Sequence, residues 1–359
     1  MTGDGPASTG PFDTVADLGE PPPPPVVAPP GALAVVGTAL ELNVAASRSI
    51  RDASLYAGAM FVLLLGPAAL IVALLIANGA LDRFDVRLVG EVGFLRGPAA
   101  VTVVLGTLAT LAVSIDLQII AIALIDSQAE AVRLDLRRGL AVARRRFWPL
   151  IGASVLVGLI DLVVGIVLSA VLPGREPDEL SSRFGIDTLV DLVVGLPFAY
   201  VGAAVVLGGG GPVGAVRMSI SVARRRWRLA AVIGIVNTAT AVLAGFAIDA
   251  GGDILGRAAI ALGIGDRAGP IQILGLAAIT AFAIAALGSL TMTIGALSAA
   301  PQVVAYRALA GPRSAVEPVD AAASRRASLI TIGMAIVIVL LALTAAGAIV
   351  GSPAVGQPA

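Results

Sequence analysis

The chain has 359 residues, of which 57% are hydrophobic and 13% charged, with 24 basic and 24 acidic residues. Soluble domains carry about 25% charged residues, so this composition is typical of a membrane protein. The sequence contains no Cys, His or Lys, which excludes ordinary zinc and haem sites, Cys or His catalysis, Schiff bases and a Walker A phosphate loop. We therefore predict no cofactor, no metal site and no catalytic residues, and expect that the protein is not an enzyme.

The N-terminal segment, residues 1–32, predicts a disordered, acidic, Pro-rich cytoplasmic tail. It has Asp4, Asp13, Asp17 and Glu20 but no early apolar core or basic start, so it does not resemble a signal peptide. Pro21 to Pro25, Pro29 and Pro30 favour extended polyproline II conformation. A spacer is a better interpretation than a docking site for a proline-recognising partner, because Pro-rich segments often act as linkers.

Seven apolar runs follow, each long enough to cross about 30 Å of hydrocarbon. They are too long for barrel strands and lack strict alternation, which favours helices. The predicted spans are Ser54–Asn78, Pro98–Ile125, Trp148–Leu172, Ile186–Leu207, Leu229–Ala250, Ile271–Val304 and Leu329–Val350. The predicted fold class is an all-α polytopic membrane bundle. It comprises a six-helix domain (33–309), a cytoplasmic linker (310–328), an additional helix (329–350) and a tail (351–359).

The distribution of Arg predicts the orientation, since cytoplasmic loops are enriched in basic residues. Seventeen Arg lie in the N-terminal segment and the second, fourth and sixth connections, whereas seven lie in the other connections. This distribution predicts a multi-pass protein of the cell membrane with a cytoplasmic N-terminus.

An internal repeat with an offset of 80 residues relates Val142–Arg146 to Val222–Arg226, which are identical. The apolar residues of each copy form one stripe at helical spacing, namely Val132, Leu136, Leu140, Ala143 and Phe147, and then Val216, Ile220, Ala223 and Trp227. These stripes predict amphipathic helices in the cytoplasmic interface, each leading into a transmembrane hairpin. Val35–Ala53 is a weaker candidate for a third copy.

The Arg residues beside these stripes predict contacts with anionic lipid headgroups of the inner leaflet, worth about 1 kcal/mol each. The candidate contacts are Arg137, Arg144, Arg145, Arg217, Arg224 and Arg225. Nucleic acid is not an expected partner, because no aromatic stacking platform accompanies the Arg residues. Other membrane proteins are a second class of expected partner.

Polar residues within the predicted spans form a candidate intramembrane site, consisting of Asp116, Gln118, Asp161 and Asn237. Small residues share the helix faces of Asp116 and Asp161, so both carboxyl groups are expected to point into the bundle. A proton or cation relay and a pair of neutral acids that hydrogen-bond neighbouring helices are equally favoured interpretations.

Gly209–Gly214 fits the spacing of a dinucleotide fingerprint, but a transmembrane helix precedes it instead of a strand. It therefore predicts a turn between a span and an interfacial helix that begins near Pro212.

The same region carries a resemblance to a known family. The blocks are Val205–Leu207, Gly211–Val213, Ala215–Ser219, Ala223–Trp227, Leu136–Leu150 and Pro301–Arg307. Over roughly Leu33 to Leu309 the chain resembles actinobacterial membrane proteins related to the membrane domain of some glycerophosphoryl diester phosphodiesterases. It departs from them at Gly208, where an acidic residue is frequent, and in its seventh span. The resemblance implies an all-helical membrane domain of undefined activity, without the separate catalytic barrel that requires His.

Two functions are consistent with the sequence. The first is a structural or regulatory membrane domain whose Arg-rich inner face contacts anionic lipid or partner proteins. The alternative is a small-solute permease, proton-coupled through Asp116 or Asp161.

Overall fold

The computed structural model describes residues 31–77, 98–132, 134–171, 192–261 and 270–310, with residues 333, 336, 337 and 340. These described residues form eight α-helices and no β-strand, which confirms the predicted all-α class. The helices are α1 Ala32–Ala45, α2 Ser47–Ala77, α3 Pro98–Ala129, α4 Leu136–Val171, α5 Val201–Gly208, α6 Pro212–Arg225, α7 Trp227–Ala261 and α8 Pro270–Ala310. A short 3-10 helix, Leu196–Phe198, precedes α5.

Five of these helices are long and apolar enough to cross a membrane, at Ser47–Ala69, Val104–Ala129, Leu136–Val167, Trp227–Gly251 and Leu274–Leu309. They match the first, second, third, fifth and sixth predicted spans. The described part of the fourth predicted span is a shorter apolar segment, Leu192–Gly208, which the 3-10 helix interrupts. The predicted span Leu329–Val350 lies outside the described residues apart from four helical positions, and the N-terminal tail, the linker and the C-terminal tail lie almost wholly outside them.

Helix α1, the candidate third copy of the repeat, has the same length and the same type of N-terminus as α6. Helices α1 and α6 each have 14 residues and an extended Gly N-cap, Gly31 and Gly211. The hydrogen bond from Val35 N to Gly31 O (3.1 Å) matches that from Ala215 N to Gly211 O (3.0 Å). A single residue separates each of these helices from the long helix that follows it. Within the described residues, the unit therefore consists of a first helical segment, a long helix and a helix that returns to the same end of the bundle.

The three units pack in cyclic order. The first part of α4 packs on α3, the returning helix of the first unit, and α6 packs on α5, the returning helix of the second. The order closes because α1 packs mainly on α8, the returning helix of the third unit. The returning helices α3, α5 and α8 also contact one another, so they lie at the centre.

Burial divides the molecule into two zones. The last turns of the three returning helices are buried throughout residues 119–125, 201–207 and 299–303. The outer parts of α4 and α7 instead expose apolar side chains, such as Leu162, Val163, Leu243 and Ile248. Because apolar side chains are stable against hydrocarbon, we assign the exposed zone to lipid and the buried zone to the Arg-rich end of the bundle.

Glycine allows α2 and α8 to approach closely where they cross. A Cβ on Gly288 would lie 2.7 Å from the carbonyl oxygen of Ala57, and a Cβ on Gly58 would lie 2.8 Å from that of Ala285. Ser289 also donates a hydrogen bond to the carbonyl of Ser54 at 3.0 Å. Close backbone packing through small residues replaces the hydrophobic driving force that lipid does not supply.

The two predicted interfacial helices differ in the structure. The second is α6, which stands as a separate helix as predicted. The first is not separate, because residues from Leu136 continue through Pro149 into the span as the single helix α4. At 36 residues, α4 is about 54 Å long, so its first turns extend beyond about 30 Å of hydrocarbon.

The helix break explains a second difference. Arg226, the C-cap of α6, has φ −139° and ψ 53°, so the chain turns there and Trp227 starts α7 with 63% of its surface exposed. The predicted stripe from Val216 to Trp227 therefore crosses a helix boundary, with its last residue at the start of α7. Val132, at the start of the first stripe, is also exposed, because it precedes α4.

Candidate lipid-headgroup interface

The α6–α7 junction carries a cluster of exposed cations. We call this cluster the Arg face and define it as Arg217, Arg224, Arg225, Arg226 and Arg228, all of which are exposed. No acidic residue lies between Gly211 and Arg228, and no ion pair of the Arg face is found among the described residues. The cluster is therefore a site of uncompensated positive charge.

The opposite side of α6 holds the cluster in place. Ala215, Val216, Ser219, Val222 and Ala223 are buried against α4, α5 and the 3-10 segment. The apolar side of α6 thus packs on protein, and the helix presents only its polar side outward. Arg224 and Arg225 also lie in the last turn of α6, where cations interact favourably with the helix dipole.

The entrance to α6 is a glycine turn, as predicted. Gly209 ends α5 with φ 68°, a left-handed conformation that favours glycine, and Pro212 starts α6. A Cβ on Gly209 would lie 3.4 Å from Nη2 of Arg146, so the Arg146 guanidinium packs against this turn. That contact distinguishes Arg146 from Arg226, its equivalent in the other copy, which is exposed.

Aromatic residues mark the level at which the outgoing spans begin. The Arg228 guanidinium lies 5.7 Å from the centre of the Trp227 ring, which is a cation–π distance. In the other copy, Phe147 and Trp148 meet edge to face at 5.4 Å, and Trp148 is 73% exposed. Trp is enriched at the membrane–water interface, so both junctions fit the headgroup region.

The Arg residues of the first copy are engaged within the protein. Arg144 Nη2 lies 3.0 Å from Oδ2 of Asp116, and the exposed fractions of the two side chains are 28% and 2%. Arg144 also lies 5.9 Å from the centre of the Phe147 ring. Arg144, a predicted headgroup contact, is therefore placed by the structure in an inward ion pair with Asp116. Arg137 and Arg145 are exposed, and both also have polar contacts.

The four predicted intramembrane polar residues do not form one site. Asp116 is buried, with Tyr56 of α2 in electrostatic range, whereas Asp161 is exposed on α4. The prediction that Asp161 points into the bundle was wrong. Its helix face has no packing partner among the described residues, since Ser154, Gly158 and Gly165 on the same stripe are exposed too.

Gln118 and Asn237 differ from Asp116 because neither side chain is fully buried. Gln118 is exposed and borders Gly202: a Cβ added to Gly202 would lie 3.7 Å from Nε2 of Gln118 and 3.3 Å from Oε1 of Gln302. Asn237 is half-buried on α7, and Oδ1 of its side chain has no hydrogen-bond partner among the described residues. That both amides border Gly202 was not predictable, because Gln118 and Gln302 are 184 positions apart.

A second ion-pair cluster was missed by sequence reasoning. Nη1 of Arg307 lies 2.7 Å from Oδ1 of Asp126, and Nη2 lies 3.3 Å from Oε1 of Glu130. This cluster joins the ends of α8 and α3. The only sequence signal was the i, i+4 spacing of the two acids, which does not identify a distant Arg partner.

Comparisons with known proteins add no relative. No protein-family model matches the chain, and neither a curated protein nor a solved structure matches it. Within the described parts of the chain, no three Asp or Glu side chains are grouped as metal ligands.

Proposed function

We propose that this chain is a non-enzymatic, multi-pass scaffold of the cell membrane that binds anionic lipid headgroups through the Arg face. In this proposal the N-terminus and the Arg face are cytoplasmic, and other membrane proteins are further partners. The membrane-protein class itself rests on the five apolar helices. The finer proposal rests on one observation: five exposed Arg residues without an acidic partner among the described residues lie on α6 and at the α6–α7 junction, where Trp227 is exposed too.

The two Arg-rich copies of the repeat, the first with Val142–Arg146 and the second with Val222–Arg226, suggest different roles. The first copy uses Arg144 and Arg146 to fasten α4 to α3 and to the glycine turn. The second leaves its cations outside. We therefore expect lipid phosphate to bind the second copy in preference to the first, because its Arg residues have no acidic partner among the described residues.

A pair of matched variants tests the proposal. Arg217→Gln with Arg225→Gln removes two cations of the Arg face, and Arg137→Gln with Arg145→Gln changes the equivalent positions of the first copy. If each Arg contributes about 1 kcal/mol, the first variant should bind phosphatidylglycerol about 30-fold more weakly. The second should bind it nearly as well as the unaltered chain.

Binding can be measured by native mass spectrometry of the protein released from nanodiscs of mixed phosphatidylglycerol and phosphatidylcholine. Equal retention of phosphatidylglycerol by the unaltered chain and the Arg217/Arg225 variant would overturn the proposal. An equal loss in both variants would contradict the preference for the second copy.

The permease alternative gains no support from a specific observation. It depends on carboxyl groups that share a path through the bundle. Asp116 is buried against Arg144, whereas Asp161 is on the exposed side of α4.

A further inference from the structure

The start of α1 lies near the α6–α7 junction, on the buried side of α6. Val35, which is fully buried, belongs to the same apolar cluster as Val222, Ala223 and Leu229, and Ala32 packs against that cluster. Val222 and Ala223 immediately precede Arg224 in the sequence. The residues before Gly31 therefore join the described fold close to the helix whose opposite side carries the Arg face.

Those preceding residues have the complementary charge. Residues 1–30 contain Asp4, Asp13, Asp17 and Glu20 and no basic side chain. The Arg face contributes five positive charges, so the segment and the surface attract each other within a Debye length of about 8 Å at physiological salt.

The connecting length permits contact. Glu20 precedes Gly31 by eleven residue positions. In polyproline II geometry these residues extend about 34 Å, whereas the 14 residues of α6 are about 21 Å long. Glu20, and Asp17 three residues before it, can thus reach every position of the Arg face. Short tethers give effective concentrations in the millimolar range, so even weak contacts are populated.

We propose that the acidic segment, residues 1–30, docks on the Arg face of the same chain and competes there with anionic lipid headgroups. The competition depends on the proposed function, whereas the docking does not. The segment acts as an internal regulator: the bound segment neutralises the Arg face, and a membrane rich in anionic lipid displaces it. Because the contact is electrostatic and solvent-exposed, it weakens as ionic strength rises.

The absence of Cys from the sequence makes the docking directly measurable. Spin labels on Ala16→Cys and Ser221→Cys report the distance between the segment and the exposed side of α6. The matched control pair is Ala16→Cys with Val132→Cys, since Val132 is exposed near the first copy. In phosphatidylcholine nanodiscs, the first pair should show a short, narrow distance distribution and the control pair a longer one.

Removing the four negative charges of residues 1–30 tests whether the short distance depends on electrostatic attraction. The changes D4N, D13N, D17N and E20Q should abolish the short-distance component, as should high salt. Glu41→Gln with Asp135→Asn, which removes two exposed acids outside the segment, should leave it unchanged. A distribution that the four changes do not alter would overturn the docking, as would a 16/221 distance no shorter than the 16/132 distance.

The same label pair separates docking from lipid competition. Loss of the short component as phosphatidylglycerol is added supports the whole proposal. Persistence of that component would overturn the competition and leave the docking supported. If the short distance occurs only in mixtures of singly labelled chains, the segment occupies a second copy of the chain, and the intramolecular proposal is overturned.

Discussion

Asp116 and Asp161 show how one residue type can have two environments on neighbouring helices. Both acids lie on stripes of small residues, and the sequence predicts burial for both. Only Asp116 is buried, because α4 places Arg144 against α3. The sequence could identify the stripes but not the helix that covers each stripe, since that depends on contacts between distant residues.

The Asp116–Arg144 pair should respond unequally to the loss of its members. Arg144→Gln leaves an almost fully buried carboxylate without its cation and should lower the free energy of unfolding by about 3–5 kcal/mol. Asp116→Asn should cost less, because Arg144 is 28% exposed and its long side chain can reach the headgroup region.

A double-mutant cycle measured by denaturant titration in bicelles checks this. The double variant should cost less than the sum of the single variants, and Arg145→Gln, at an exposed neighbouring position, should cost little. Additive costs would show that the pair is not coupled.

At the scale of elements, the interrupted helix before α5 depends on a serine of another helix. Ser219 Oγ donates to the carbonyl of Pro197 at 2.8 Å and accepts from the N–H of Tyr200 at 3.1 Å. Both backbone groups lie where regular helical bonding stops. A fully buried hydroxyl thus satisfies the polar atoms that the break exposes.

Replacing Ser219 by Ala should therefore destabilise the protein by about 1–3 kcal/mol, because the Tyr200 N–H would be buried without a partner. Amide hydrogen exchange at Tyr200 should accelerate. Ser221→Ala is the matched control, since its hydroxyl is exposed and bonds to Met218 of its own helix. Equal stability of the two variants would contradict this role for Ser219.

Element boundaries show where sequence reasoning succeeds. The Gly209–Pro212 turn was predictable, because a left-handed glycine followed by proline is a local signal. The continuity of α4 and the break at Arg226 were not, because the two copies share the motif Val-Ala-Arg-Arg-Arg. One difference between the copies is the contact of Arg146 with the turn at Gly209, 63 positions away in the sequence.

At the scale of the whole molecule, the lipid-exposed zone and the Arg-bearing zone should differ in which relaxation agent reaches a spin label. A spin label at Val163→Cys should be relaxed by oxygen, which partitions into lipid, and hardly by a water-soluble nickel complex. A label at Ser221→Cys should show the reverse, because Ser221 is exposed on the Arg-bearing side of α6. Access of the nickel complex to Val163 would contradict the lipid zone.

Composition was sufficient to predict the class of the molecule and the position of five spans. The cyclic order of the repeats could not be predicted, because it depends on the packing of α1 on α8, and these two helices are separated by most of the sequence. The pairing of Arg307 with Asp126 escaped prediction for the same reason, with 181 positions between them. Periodicity indicates which face of a helix is apolar, but it does not indicate which other helix packs on that face.

The equal length of α1 and α6 has a consequence for the history of the molecule. Equivalent positions Ala46, Arg146 and Arg226 are respectively buried, partly buried and exposed. A gene segment that was copied twice would start with one chemistry at all three positions. In the present chain the side chain at this equivalent position is apolar in one unit, directed inward in the second and exposed in the third, so each unit offers a different chemistry at the same level of the bundle.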